Sequence, residues 1–346
     1  MNMKQYTKID KQQGAASIIV TLILMLVITL IVLGFAQITR REQRQSLDQQ
    51  LSTQAFYAAE SGINDATQAI HDHTFTGNKQ TCDNTGTPFT GKVDPVHNIA
   101  YTCLLISQSL SNLSYPTIFA NKAISADMTF GGGSSANIIK ISWVNGDNQN
   151  STFSPDYPLF PSFSGWQADG SNTALLRLAV TDLSGGQYDR QSLDNNTFTT
   201  YLYPSTIGGG SVNFTPTGAA PQPTGLNAQG KITAAACSGG GTPSAQCTVT
   251  LNLGAPLSHV FLRIGALYDD ASVTITAFNG ATSLDISGAQ AIIDATGKAQ
   301  DVLRRDQVRL SLTPQTNSPA NAVQSLTSIC KQLQVNSSYG IPGTCP

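Results

Sequence analysis

The most prominent feature of the chain is an uncharged apolar run close to its N-terminus. From Ala15 to Thr39 no residue carries a charge, and most side chains are aliphatic. About 20 mostly apolar residues are enough for a helix to cross the hydrocarbon core of a bilayer. A single segment must be helical there, because only a helix satisfies all its backbone polar groups internally. The run therefore predicts a transmembrane helix over residues 15–39.

The helical pattern continues beyond the apolar run. From Arg40 to Ile70 there is no proline, and the first glycine is Gly62. Apolar residues recur at intervals of three or four, which is the spacing of one apolar helix face. They are Leu47, Leu51, Ala55, Ala58, Ala59, Ile63, Ala66 and Ile70. We predict one continuous helix over residues 15–72, about 85 Å long at roughly 1.5 Å per residue.

The chain after this helix has the pattern of β-structure. Apolar and polar residues alternate in segments such as 139–143 and 176–180, as in half-buried strands. Strands are predicted over 99–106, 123–130, 136–144, 174–183, 198–203, 231–237, 247–253, 260–267, 272–278, 289–294 and 302–312. The sequence therefore predicts an α+β protein in which the long N-terminal helix precedes a mostly antiparallel, disulfide-stapled β region.

Glycine and proline mark the predicted divisions of this β region. Residues 205–225 are rich in both and predict a linker. It separates a first β subdomain, 73–204, from a second, 226–313. A tail, 314–346, contains a predicted short helix over 320–333. The Gly131–Gly133 segment lacks the lysine and the serine or threonine of a phosphate loop, and it predicts a hairpin connection.

The cysteines and lysines indicate the compartment of each end. All six cysteines follow the helix, and an even count at short spacings indicates disulfides in an oxidising exterior. Proximity in sequence predicts the pairs Cys82–Cys103, Cys237–Cys247 and Cys330–Cys345, among 15 connectivities that six cysteines allow. Lys4, Lys8 and Lys11 precede the apolar run and favour a cytoplasmic N-terminus, although three arginines follow the run.

The charged residues give no catalytic set. The net charge of −2 provides no reason to expect nucleic-acid binding. No nucleophile arrangement, zinc spacing or nucleotide-binding motif is present, so we expect no catalytic, cofactor-binding or metal-binding residue. Asp269 and Asp270 are interpreted as turn residues. Lys298, Arg304, Arg305 and Arg309 are interpreted as a solvated strand face.

Two segments flanking the apolar run resemble a known family. Gln12–Ile19, the run itself and Gln54–Ile63 together look like a type IV pilin precursor, and specifically like the PilX N-terminal group of minor pilins. In that group a glycine precedes the cleavage site, and an Ala-Ala-Glu stretch lies in the outer half of the helix. The resemblance covers residues 11–69. Residues 290–305 also resemble part of large pilin-like proteins of that group.

The resemblance implies a processed, non-enzymatic filament subunit. A prepilin peptidase would cut after Gly14, and the new N-terminus at Ala15 would be methylated. The helix would then leave the cytoplasmic membrane and pack against other pilin helices in an extracellular pilus. The residues of the helix expected in the filament core are Ile18, Ile19, Leu22, Leu26 and Leu30.

One residue departs from the pattern of major pilins. The fifth residue after the cut is usually a glutamate that pairs with a neighbouring N-terminal amine, and here it is Ile19. A buried carboxylate needs such a partner, and this chain has no carboxylate at this position. We therefore expect a minor component at or near the filament tip. A variant of this expectation is an adhesin exposed at the tip that binds a surface ligand or host cell.

Three other interpretations remain open from the sequence. An uncleaved signal anchor carrying an unrelated ectodomain, or a membrane-anchored extracellular enzyme, would also need the apolar run. A signal peptide cut after Ala36 is a third, although its apolar region would be about 7–15 residues long. Neither the signal anchor nor the signal peptide explains why the apolar face continues unbroken to Ile70. The enzyme has no catalytic set in the sequence to support it.

Overall fold

A computed structural model describes residues 13–83, 88–145, 174–205, 210–214, 232–237 and 246–313. Helix α1 spans Gln13–His71 without interruption, and its 59 residues confirm the predicted single long helix. A short second helix, α2 (Arg190–Asn195), was not predicted; the Asp189 side chain caps it by accepting from the Ser192 amide.

The rest of the described chain is mostly strands. In chain order they are β1 (Lys92–Asp94), β2 (Ile99–Leu110), β3 (Leu113–Ile118), β4 (Ala123–Phe130), β5 (Ala136–Asn145), β6 (Leu175–Asp182), β7 (Thr197–Ser205), β8 (Ser211–Asn213), β9 (Ile232–Cys237), β10 (Cys247–Leu257), β11 (His259–Leu267), β12 (Ala271–Asn279), β13 (Thr282–Leu284), β14 (Ile286–Ala299) and β15 (Val302–Ser311). The predicted α+β class, with a mostly antiparallel β region after the helix, is confirmed.

The strands that the sequence did not predict have short or proline-containing patterns. Strands β1, β8 and β13 have three residues each, too few to show alternation. Strand β3 contains Pro116 and, among the described strands, pairs with β12 alone, as expected for an edge strand.

The chain forms two compact units. Unit 1 comprises residues 1–66, 81–104 and 294–306, and unit 2 comprises residues 67–80, 105–293 and 307–346. Strands β2, β14 and β15 contribute residues to both units. The predicted subdomains 73–204 and 226–313 and the linker 205–225 stay predictions, and most of the linker lies outside the described residues.

Unit 1 contains most of α1 and a small set of strand segments. Strand β1 pairs antiparallel with β2, β14 lies beside β2, and β15 pairs with β14. We call the unit 1 parts of these four strands (92–94, 99–104, 294–299 and 302–306) the strand layer. Its buried side chains include Tyr101, Leu104, Ala295 and Ala299.

Unit 2 contains the larger core. Its strands follow the order β4-β11-β6-β7-β9-β10-β5-β12, and the pairings are antiparallel except β7–β9 and β8–β10. Burial alternates residue by residue along β11 and β12, so one face of each strand enters the core. Trp143 lies in that core and donates from Nε1 to the Ala174 carbonyl at 2.9 Å.

The predicted hairpin at Gly131–Gly133 is wrong. These residues form a 3-10 turn in which Gly132 and Gly133 have positive φ angles. The turn connects β4, which pairs with β11 and β14, to β5, which pairs with β10 and β12. Alternation in the sequence shows which face of a strand is buried but not which strand lies beside it, so the connection was misassigned.

Two of the three predicted disulfides are formed. Cys82 pairs with Cys103 at a Cα–Cα distance of 4.3 Å, and Cys237 pairs with Cys247 at 3.9 Å. Cys237 faces Cys247 directly across the antiparallel β9–β10 pair. The third predicted pair, Cys330–Cys345, and the predicted helix over 320–333 lie outside the described residues.

We expect removal of Cys82–Cys103 to destabilise the strand layer. The bond closes a loop of 21 residues that ends on β2, and loss of such a cross-link costs about 3 kcal/mol in the chain-entropy model. Thermal unfolding of the C82S/C103S chain in detergent should show this loss. The C237S/C247S variant, with a sequence separation of 10, is the matched control and should lose somewhat less. An unchanged melting temperature for C82S/C103S would contradict the prediction.

Candidate functional site

The candidate site is helix α1, whose apolar half is exposed on every side. The predicted filament-core residues Ile18, Ile19, Leu22, Leu26 and Leu30 are between 55 and 66 % exposed. Among the described residues, α1 is the one helix that is long and apolar enough to cross a membrane. The most apolar stretch of this helix has no buried residue. So large an apolar surface needs another apolar environment, either lipid or other helices.

The second half of α1 is buried along one face only. Leu51 is half-buried, and the buried residues are Ala55, Ala58, Ala59, Ile63, Ala66 and Ile70. This confirms the predicted apolar face from Leu51 onward. Leu47 continues the same apolar face but is 58 % exposed, since burial of α1 begins at about Leu51.

Strand β14 crosses α1 at Gly297 with almost no space between the two backbones. A Cβ atom at Gly297 would lie 2.0 Å from the Ala55 carbonyl oxygen and 2.4 Å from the Ala59 amide nitrogen. Only glycine fits at such an approach, and on the helix side the neighbours are alanines. Small residues on both elements therefore set the distance between α1 and the strand layer.

A second close contact lies at Gly62, three residues beyond Ala59. A Cβ atom at Gly62 would meet the Tyr101 ring at 2.9 Å, so the ring packs directly on the helix backbone. The Tyr101 hydroxyl donates to Asp65 Oδ2 at 2.9 Å. Burial, together with this carboxylate, raises the pKa of Tyr101.

The arginines of β15 are exposed to solvent and also form side-chain hydrogen bonds. Arg304 donates from Nε to Ser52 Oγ of α1 at 2.7 Å. Arg305 donates from Nε and Nη2 to the carboxylate of Asp294, whose side chain is 8 % exposed. Both arginines are exposed, as expected for a solvated face, but each also binds a specific side chain. In unit 2, Arg309 donates to Gln290 Oε1 at 3.0 Å.

The predicted processing residues lie at the start of α1. Gly14 and Ala15 fall within its first turn by backbone, and cleavage between them stays a prediction. The sequence did not predict the residues that join α1 to the strand layer, namely Ser52, Asp65, Tyr101, Gly297 and Arg304. Gly62, on the apolar face of a helix otherwise free of glycine from residue 40 to 70, was a signal for a close contact.

The comparison with protein families matches this same helix. Residues 13–64 match the family described as PilX N-terminal. The N-terminal segment of this chain is PilX-like. The PilX-like segment begins at the first residue of α1 and includes its exposed apolar half together with Ala55, Ala58 and Ala59. No curated protein and no solved structure matches the chain.

The PilX-like segment supports a structural role. It is similar to the N-terminal regions of type IV minor pilins, which in general are structural and not enzymatic. Tyr101 and Gly297, which hold the PilX-like helix against the strand layer, lie outside the matched residues. The surface on which the PilX-like helix packs is therefore formed by the strand layer, outside the matched residues.

Proposed function

We propose that this chain is a minor pilin, a structural subunit of a type IV pilus or a related filament. One observation carries the proposal: the uncharged half of α1 is exposed on every side, within a segment similar to the PilX N-terminal region. Residues 15–39 hold the subunit in the cytoplasmic membrane before assembly. In the filament the same surface packs against the helices of other pilins through Ile18, Ile19, Leu22, Leu26 and Leu30.

The proposal includes processing by a prepilin peptidase. Cleavage after Gly14 removes a leader that carries three lysines, and methylation of Ala15 follows. The β region then lies outside the cell, which agrees with disulfides at Cys82–Cys103 and Cys237–Cys247.

Ile19 supports a position at or near the filament tip. In a repeating subunit each N-terminal amine enters an apolar bundle, and an unpaired buried charge costs several kcal/mol even after relaxation. With isoleucine at position 19 this chain offers no carboxylate to an adjoining amine. A subunit at the tip does not need to offer one, and its β region is free to bind a surface ligand.

Immunogold labelling of filaments tests this position. Antibody against residues 74–346 should mark filament ends, with few gold particles per filament, because the subunit is expected in few copies. An antibody against the principal subunit of the same filaments serves as the control and should mark the whole shaft. Uniform labelling of the shaft by the first antibody would contradict the tip position. Labelling of the cell envelope with none on filaments would contradict the pilin assignment and favour a signal-anchored ectodomain.

A further inference from the structure

Three arginines follow the apolar half of α1 and are exposed to solvent. Arg40, Arg41 and Arg44 lie within five residues, directly after Thr39. The ion pairs that the described residues form involve other side chains. Asp48, one turn beyond Arg44, forms none of these pairs. We call Arg40, Arg41 and Arg44 the arginine collar.

The arginine collar lies on one face of α1. Eighteen residues are five full turns of an α-helix, so Arg40, Arg41 and Arg44 share the angular positions of Ala58, Ala59 and Gly62. Those three are among the residues that face the strand layer. The acidic residue of the same segment, Glu42, shares its angular position with Glu60, which is exposed. Within residues 40–44 the side of α1 that carries the strand layer is therefore basic, and Asp48 follows one turn further along the same side.

The length of the apolar run places the collar at a membrane surface. The 25 uncharged residues from Ala15 to Thr39 span about 37 Å as a helix, slightly more than the roughly 30 Å hydrocarbon core. When this run crosses the bilayer, Arg40 to Arg44 therefore lie among the headgroups of the far leaflet. Guanidinium groups bind phosphate oxygens in a bidentate way and are favoured for this contact over ammonium groups.

We propose that the arginine collar binds the phosphate groups of membrane lipids on the extracytoplasmic side before assembly. This inference rests on the proposed function only in requiring residues 15–39 to span the membrane. It does not require assembly into a filament. Binding of phosphate by the collar keeps one face of α1 next to the lipid headgroups. This is the same face of α1 that packs against the strand layer further along the helix. From Arg44 to Ser52, the first helix residue bonded to the strand layer, the distance along α1 is only about 12 Å.

Solid-state NMR on the full chain in phosphatidylglycerol vesicles, in phosphate-free buffer, tests this binding. Carbon-13 is placed at arginine Cζ, and its dephasing by lipid phosphorus-31 is measured. The chain has nine arginines, of which three form the collar and six follow residue 170. The leader contains no arginine, so its lysines contribute nothing to the labelled signal. We expect about a third of the arginine signal to lie within roughly 5 Å of phosphorus, as bidentate contact requires.

Two variants assign the signal. R40K/R41K/R44K keeps the charge needed for the same topology and should lose all the dephasing. R190Q removes an arginine whose side chain is 95 % exposed in unit 2, and it should leave the dephased signal unchanged. Absence of dephasing in the unmodified chain would overturn the proposal and favour an acidic neighbouring subunit as the partner. Dephasing that persists in R40K/R41K/R44K would also overturn it. A chain that contacts phosphate but is never found on filaments would refute the pilin assignment alone.

Discussion

The G297V chain should lose the packing between α1 and the strand layer. A valine Cβ at this position would lie 2.0 Å from the Ala55 carbonyl oxygen and 2.4 Å from the Ala59 amide. Both atoms belong to the helix backbone, so no side-chain rotation relieves the overlap. Overpacking a core typically lowers the free energy of unfolding by about 1–3 kcal/mol. We expect G297V to lower it by at least about 3 kcal/mol, because the whole helix must move.

The G297V chain should therefore unfold at a lower temperature, and α1 should exchange amide hydrogens faster around residues 55–66. Replacing Ala59 by glycine should not restore stability, since the overlap is with backbone atoms. The matched control is G185V, because Gly185 has no atom within 4 Å of an added Cβ and no positive φ angle. Equal melting temperatures for G297V and the unmodified chain would show that β14 does not approach α1 as described.

The periodic parts of this fold could be predicted from the sequence. The spacing of Leu51, Ala55, Ala58 and Ala59 indicated a buried helix face, because helix periodicity depends only on local positions. The alternation in β11 and β12 likewise indicated which side of each strand is buried. The disulfide between Cys237 and Cys247 was predicted correctly, because two antiparallel strands joined by a short connection bring cysteines close in sequence opposite each other.

The neighbour of each strand could not be predicted in this way. Only five residues separate the end of β4 from the start of β5. However, β4 pairs with β11 and β5 pairs with β10, and both partners lie more than 100 residues further along the chain. A repeating pattern of buried positions fits several partners equally well, and register is decided by packing between distant segments. The misassigned turn at Gly131–Gly133 is a direct result.

The contacts between α1 and the strand layer were missed for a related reason. Gly297 lay between the predicted strands 289–294 and 302–312, and one glycine does not reveal which backbone approaches it. Arg304 was grouped with neighbouring cations, but its role depends on Ser52, which is 252 residues away in the chain. Leu47 fitted the apolar spacing, although α1 becomes buried only a turn later.

The G14V chain should remain in the membrane at its precursor mass. The proposed cleavage site needs a small residue, and valine adds a branched side chain at the bond that the peptidase must cut. The uncut leader retains Lys4, Lys8 and Lys11. Moving a lysine into the bilayer centre costs about 2.5–3.5 kcal/mol on insertion scales, so the retained leader prevents α1 from leaving the membrane.

Mass spectrometry of membrane and filament fractions tests the G14V prediction. The unmodified chain should begin at a methylated Ala15 in the filament fraction, and G14V should be absent there. G34V is the matched control, because Gly34 lies in the same apolar half of α1 with no atom within 4 Å of an added Cβ. G34V should be cut and assembled like the unmodified chain. A filament subunit that begins at Met1 or Gln37, or a G14V chain that begins at Ala15, would refute cleavage after Gly14.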